Sequence, residues 1–167
     1  MKLIALVLAL SLCRAGAQDF RQTASAWAEY YAHIYCVQPD FVKAVIDVES
    51  GWQPNAVSTK GAVGIMQLTV PAAFTFGVTN RFRIDENIRG GVAYLSRLMR
   101  LFDGELRLVA AAYYAGEARI QKTGLKCADP EICRYVAAVE RFYLRRRLAA
   151  ISAGVAKGAQ QQCGQWK

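Results

Sequence analysis

Apolar residues recur at intervals of three and four through most of the chain, the spacing that lines one face of an α-helix. Phe20 to Cys36 reads as a first helix carrying Trp27, Tyr30, Tyr31 and Ile34. Pro39 and Asp40 start a second, with Asp40 as its cap; Val42, Val45 and Ile46 form its apolar face and Gly51 ends it. Trp52 to Gly64 is rich in Gly, Ser, Thr, Asn and Pro and reads as loop or as a small irregular hairpin. A short helix begins near Pro71, since proline is welcome in a first turn. Asp85 is placed to cap a long helix through Phe102, with Ile88, Val92, Leu95 and Leu98 or Met99 inward, and Asp103-Gly104 stops it. Glu105 to Ala115 forms another apolar helix, Glu117 to Lys122 adds a turn or two, and Pro130 opens a last helix through about Ala150. Beyond Ser152 the Gly, Ala and Gln content predicts fraying unless Cys163 ties the end down. The pattern predicts one mainly α domain with at most a small irregular β element.

The first residues break this pattern. Met1-Lys2 is followed by an apolar run from Leu3 to Leu12, interrupted only by Ser11, and Ala15-Gly16-Ala17 has the small-x-small form of a signal-peptidase site. The expectation is a signal peptide over residues 1–17, cleavage after Ala17 and export to the periplasm of a bacterium. The run is too short for a permanent membrane span, and no later run approaches that length, so the processed chain is not expected to be an integral membrane protein. A lipid anchor on Cys13 is the rival reading, but bulky Leu12 stands where lipid-attachment sites prefer a small residue. Residues 18–150 are then the folded domain, of a size that supports a real core, and 151–167 a tail.

Charge and cysteines refine the picture. Of the formal charge of +8, Lys2 and Arg14 belong to the leader. A basic exported domain meets anionic wall polymer or phospholipid rather than nucleic acid, and no basic motif interleaved with aromatics points to DNA or RNA. Arg141, Arg145, Arg146 and Arg147 read as the solvated face of a terminal helix. Apart from Cys13, four cysteines remain, an even number that argues for disulfides in an oxidising compartment. Three pairings are open; the reading favoured here joins Cys127 to Cys133 and Cys36 to Cys163. Their spacing fits no zinc pattern, and His33 is the only histidine, so no metal or other cofactor is expected.

Glu49 is the residue that changes the argument from fold to chemistry. It takes the next slot on the apolar face of Val42, Val45 and Ile46, in the last turn of its helix. Desolvation and the negative end of the helix dipole both push such a carboxyl towards the protonated form. A carboxylic acid kept neutral is what donates a proton to a poor leaving group. No second acid is placed to help: Asp47 faces away from Glu49 on the helix, and Asp85 and Glu86 are explained as helix-start residues.

The residues around Glu49 carry a recognisable motif. Glu49-Ser50 is followed by Ser58, nine positions after the glutamate, and by Gly61-Ala62-Val63-Gly64-Ile65-Met66-Gln67. Further on stand Asn87-Ile88 with Gly91 and Tyr94-Leu95, then Ala112-Tyr113-Tyr114-Ala115-Gly116, then Glu131 with Tyr135-Val136. Together these resemble the soluble lytic transglycosylase family, whose fold is that of goose-type lysozyme, over about residues 39 to 140. The resemblance implies that Glu49 protonates the bond between N-acetylmuramic acid and N-acetylglucosamine in peptidoglycan strands. It implies that Glu49 then draws the proton from the muramic acid 6-hydroxyl, which closes into a 1,6-anhydro ring.

The same resemblance assigns substrate contacts to Ser58, Gly64, Met66, Gln67, Tyr113, Tyr114 and Tyr135. Ser58 and Gln67 suit an acetamido group because they bring no second charge near Glu49; loop capping is the competing reading for both. Gly64 lets backbone approach the sugar, and Met66 fills the adjoining wall. Tyr113 and Tyr114 offer rings and hydroxyls, one of them with the alternative of burial, and Tyr135 orients the catalytic carboxyl or simply packs in the core. Two departures stand out: Tyr114 replaces the family's usual Asn, and Leu68-Thr69-Val70 puts one residue more than usual before Pro71. Small size and the lack of a wall-binding repeat resemble the specialised members that open the wall for a secretion, conjugation or pilus machine, whose components are then partners. A lysozyme-like muramidase and a non-catalytic wall-binding assembly protein are the rivals.

Overall fold

The structure is a computed structural model in which residues 20–125 and 129–163 are described, with side chains through Ala153. Seven helices are present among the described residues: α1 over 20–34, α2 Pro39–Glu49, α3 Val70–Thr75, α4 Ile84–Leu101, α5 Leu106–Ala115, α6 Glu117–Thr123 and α7 Pro130–Cys163. The predicted mainly α domain is the architecture observed. The β element reduces to two isolated antiparallel bridges, Val57 with Val63 and Val63 with Leu68.

The core forms where apolar stripes meet. α2 buries Phe41, Val42, Ala44, Val45 and Ile46, the face read from the sequence, and packs on α7. α5 buries Val109 and the small side chains of Ala110, Ala111 and Ala112, which let α4 and α7 approach it closely. α7 therefore lies against both α2 and α5 and supplies Tyr135, Val136 and Val139 to the core. Phe41 and Tyr143 meet edge to face at 6.2 Å.

The 50–69 loop is held from beneath by one buried amide. Asn87 on α4 accepts the Met66 N–H at 2.7 Å and donates to the carbonyls of Val63 at 3.0 Å and Arg81 at 2.6 Å. Arg81 in turn donates to the carbonyls of Gly61 and Leu68. Gly64, at φ +83°, packs so closely that a Cβ there would lie 2.3 Å from the Asn87 amide nitrogen and 2.4 Å from the Arg81 carbonyl. Gly91 does the same for Met66, whose sulfur would stand 2.5 Å from a Cβ on α4. Small residues and one amide thus replace the extended sheet that the loop lacks.

A second interlock ties α1, α2, the loop and α7 together through Asp47, whose side chain is only 7% exposed. It accepts the indole N–H of Trp52 at 2.6 Å and the Arg146 Nε–H at 3.2 Å, with Arg21 at 3.5 Å. The guanidinium carbons of Arg21 and Arg146 lie 5.3 and 5.9 Å from the centre of the Trp52 ring, in cation–π range.

Several expectations are corrected. Neither Asp40 nor Asp85 is a cap: α2 starts after Gln38 and α4 after Arg83, so both aspartates sit in first turns. Asp85 pairs with Arg83 at 2.7 Å, while Glu86 accepts the Thr79 N–H and hydroxyl and the Asn80 N–H, bonds that pull its pKa down to about 2. The arginine cluster is not a purely solvated face, because Arg146 turns inward to Asp47 and Arg147 lies 3.8 Å from Asp40. α7 runs on to Cys163 instead of ending near Ala150.

That extension also overturns the pairing of Cys36 with Cys163. Cys36 is an exposed free thiol at φ +54° in the turn after α1. Tyr143 meets Gln38 near that turn, and a helix rising ~1.5 Å per residue carries Cys163 about 30 Å further on. Cys133 is disulfide-bonded. The signal peptide, Cys13 and Cys127 lie outside the described residues.

Asn87→Ala leaves the buried Met66 N–H without its acceptor and removes the two bonds to the Val63 and Arg81 carbonyls. Unfolding by denaturant is expected to show a loss of about 3 kcal/mol or more, in the range of a broken buried hydrogen-bond network.

Candidate active site

Glu49 ends α2 and Ser50 turns the chain out of it. The Ser50 hydroxyl donates to the Ile65 carbonyl at 2.7 Å and accepts the Trp52 N–H at 3.1 Å, so the dipeptide fastens the helix end to the loop. Gly51 and Trp52 both adopt positive φ in making the turn. The Glu49 side chain is left half-buried among apolar groups and meets one polar partner, the Tyr135 hydroxyl of α7, which donates to Glu49 Oε1 at 2.5 Å.

The electrostatics follow from that environment. Burial raises the Glu49 pKa from 4.5 to about 7, and the Tyr135 hydrogen bond, which favours the ionised form, only partly offsets it. Burial, followed by the neighbouring Glu49 carboxyl, drives the hydroxyls of Tyr113 and Tyr135 well above their usual pKa. No other carboxylate contributes to the Glu49 shift. Asp47, two residues earlier, is turned to Arg146, Arg21 and Trp52 on the opposite side of the helix.

A cleft of about 750 Å³ opens beside this acid. Gln67, Tyr113 and Tyr114 line it together with Thr75, Phe76, Tyr94, Arg97 and Glu117. Tyr114, 40% exposed, stacks on Tyr135 with ring centres 4.7 Å apart and donates its hydroxyl to Glu131 at 3.2 Å. Tyr113 donates to the Met66 carbonyl at 2.8 Å and lies 5.2 Å from the Tyr94 ring. Glu49 itself does not line the cleft; Tyr135, which donates to it, stacks on Tyr114, one of the lining residues.

The structure sorts the residues singled out in the sequence. Gln67, Tyr113 and Tyr114 line the cleft, and Glu49 is joined to it through Tyr135, which stacks on Tyr114. Gln67 adopts φ +48° and donates its amide to the carbonyls of Ala56 and Gly64, and its side-chain oxygen accepts no hydrogen bond among the described residues. Gly64 and Met66 are buried, so they offer backbone and support from behind instead of side-chain surface. Ser58 caps the 58–62 turn by accepting the Ala62 N–H at 3.0 Å and does not line the cleft.

Sequence reasoning missed Tyr94, Arg97, Phe76 and Glu117 as cleft residues. Tyr94 stands one turn after the Gly90-Gly91 pair, and a paired glycine inside a helix is itself a sign of close approach by another segment. The Arg97 and Glu117 ion pair joins α4 to α6 across the cleft floor, a contact between distant segments that no local pattern announces. Among the described residues no cluster of three or more His, Cys, Asp or Glu is placed to hold a metal.

Comparison with known proteins agrees with this geometry. The profile of the Transglycosylase SLT domain matches residues 26–134. A membrane-bound lytic murein transglycosylase F of Alkalilimnicola ehrlichii is 36% identical over 101 residues, 57% of this chain and 20% of that protein. Lytic transglycosylase Slt of Pseudomonas aeruginosa, solved by X-ray as an inactive glutamate-to-glutamine mutant, superposes with a TM-score of 0.66 at 26% identity. That match covers 75% of this chain and 24% of that one. The 70 kDa soluble lytic transglycosylase of Escherichia coli gives 0.64 at 22% identity over 74% of this chain and 24% of that one, a likeness of fold. The chain spans about a fifth of the length of the curated relatives it matches.

A carboxyl whose pKa is raised on folding helps stability below its unfolded value and loses that help as pH rises through the folded one. Glu49 therefore costs stability progressively between pH 4.5 and about 7. Glu49→Gln is expected to match the parent in thermal unfolding at pH 4 and to exceed it above pH 7, by on the order of 3 kcal/mol at most. Tyr135→Phe removes the donor that favours ionisation, so the carboxyl titration of Glu49 followed by NMR is expected to move further above 7.

Proposed function

The chain belongs to the family of SLT-domain transglycosylases, whose lysozyme-like fold it shares, and on that premise we propose that it is an exported peptidoglycan lytic transglycosylase. The observation that carries the reading is a partly buried carboxyl, hydrogen-bonded by Tyr135 beside the cleft, on whose proton no other carboxylate among the described residues acts. Hydrolytic glycosidases ordinarily pair two carboxyls about 5 to 10 Å apart, one as acid and one as nucleophile or base. Asp47, the only acid near in sequence, is already occupied by Arg146, Arg21 and Trp52. A lone acid suits a reaction in which the sugar supplies its own nucleophile.

In the proposed cycle the protonated Glu49 gives its proton to the oxygen linking N-acetylmuramic acid to N-acetylglucosamine, and the bond from that oxygen to the muramic acid anomeric carbon breaks. The resulting carboxylate takes the proton of the muramic acid 6-hydroxyl, whose oxygen closes on the same carbon. The product is a 1,6-anhydro end, no water is consumed, and Glu49 is again protonated. Tyr135 steadies the carboxylate between the two transfers by donating to Oε1. Tyr113, Tyr114 and the free oxygen of Gln67 face the strand, while Gly64, Met66 and Ser58 shape the loop that presents them.

The finer reading places the enzyme in the periplasm after removal of residues 1–17, with residues 18–150 as the catalytic domain. There it opens the wall locally for a secretion, conjugation or pilus machine, a role that rests on the sequence resemblance.

Glu49→Gln is expected to lower release of soluble muropeptides from purified sacculi about a thousandfold or more, since proton donation is lost while folding and sacculus binding remain. Mass spectrometry of the wild-type digest is expected to show anhydro ends, lighter by one water than reducing ends. Reducing ends as the main product would replace this reading with a muramidase, and undiminished cleavage by the Gln variant would remove Glu49 from the chemistry.

A further inference from the structure

We propose that the distal part of α7 is an interfacial helix that lays an apolar stripe onto an anionic phospholipid surface, outside the cleft and independent of the reaction. Leu144, Leu148 and Ile151 are 50%, 64% and 58% exposed, the largest run of unpartnered aliphatic surface on one helix of the described residues. Their spacing of four and three, at about 100° per residue, keeps them within about 60° of one another on one face. The opposite face is committed to the domain, through Val139 in the core and Arg146 on Asp47. The stripe therefore points away from the protein along a helix that continues past the domain to Cys163.

Charge decides what covers it. On the same helical wheel Arg141 and Arg147 border the stripe on either side, each about 60° from its centre. From Arg141 to Lys167 the sequence contains arginines and lysines but no aspartate or glutamate. A second copy of this face would bring an excess of basic side chains together, against which the face sets only Glu140, one turn before Leu144, and Asp40, 3.8 Å from Arg147. An anionic bilayer answers the two arginines that border the stripe: leucine and isoleucine dip below the headgroups while the long stems of Arg141 and Arg147 keep their guanidinium groups at phosphate level. No helix of the described residues is long and apolar enough to cross a membrane, so the attachment is to the surface.

The test uses the processed chain, residues 18–167, and co-sedimentation with vesicles of phosphatidylglycerol and phosphatidylcholine in equal parts or of phosphatidylcholine alone. Binding is expected to be at least tenfold tighter to the anionic vesicles and to weaken as salt is raised. The double variant Leu148→Gln, Ile151→Gln, which touches only exposed positions, is expected to lose at least tenfold in that binding with unchanged thermal unfolding. Glu49→Gln is expected to bind as the parent does, which separates this surface from the enzymatic reading. Equal binding to neutral vesicles, or no loss in the double variant, overturns the proposal. So does a wild-type dimer in light scattering without lipid that the double variant turns into a monomer, since the face is then an interface between copies.

Discussion

The rest of the site depends on keeping one carboxyl out of water beside one phenol. Glu49 has two opposing influences on its proton: the surrounding apolar packing, which favours the neutral acid, and the Tyr135 hydroxyl, which favours the anion. Packing wins, and the balance settles near neutrality. In the proposed cycle Glu49 both gives and takes a proton, and either influence alone would spoil it for that task. Full burial without a donor leaves an acid too weak to ionise, and a donor without burial leaves a carboxylate with no proton to give. The 86 residues that separate Glu49 from Tyr135 in the chain explain why α2 and α7 must pack directly on each other.

The α2 helix solves a second problem by register alone. Asp47 and Glu49 are two residues apart, so a helix turns them to different sides. One side meets two guanidinium groups and an indole and becomes a structural lock among α1, α7 and the loop. The other carries Glu49, withdrawn from water beside the Tyr135 and Tyr113 hydroxyls. The same helix therefore supplies an anchor and an acid without the two carboxyls meeting, and the anchor holds the helix end from which the acid projects.

How much of this was legible in the sequence varies with the range of the interaction. The faces of α2 and α4 were readable because helical periodicity is local, and Glu49 stood out as a charge on an apolar stripe. Loop roles were only half readable. Ser58 and Gln67 are hydrogen-bonding residues in a glycine-rich segment, and nothing local distinguishes one that caps its own turn from one that faces a cleft. The structure makes Ser58 a turn cap and gives Gln67 both tasks. Asn87 was visible as part of a motif, yet its burial and three bonds to the loop depend on segments that meet only in the folded state. The expected bond from Cys36 to Cys163 failed for a related reason, since the length of α7 is set by continued helix where composition suggested fraying.

Tyr114 shows how a local departure is absorbed. Where the sequence resemblance implies asparagine, a phenol ring lies against Tyr135, and its hydroxyl reaches Glu131 on the first turn of α7. The stack covers the ring whose hydroxyl touches Glu49, and Tyr135 is left only 8% exposed. An amide at this place would offer hydrogen bonds to a sugar but little cover. The tyrosine gives up those polar contacts and turns an apolar ring face to the cleft, where the C–H face of a pyranose can pack. One face of the Tyr114 ring thus covers Tyr135, the donor to Glu49, and in the proposed function the other is left for the strand, so a change there is expected to alter proton affinity and substrate fit together.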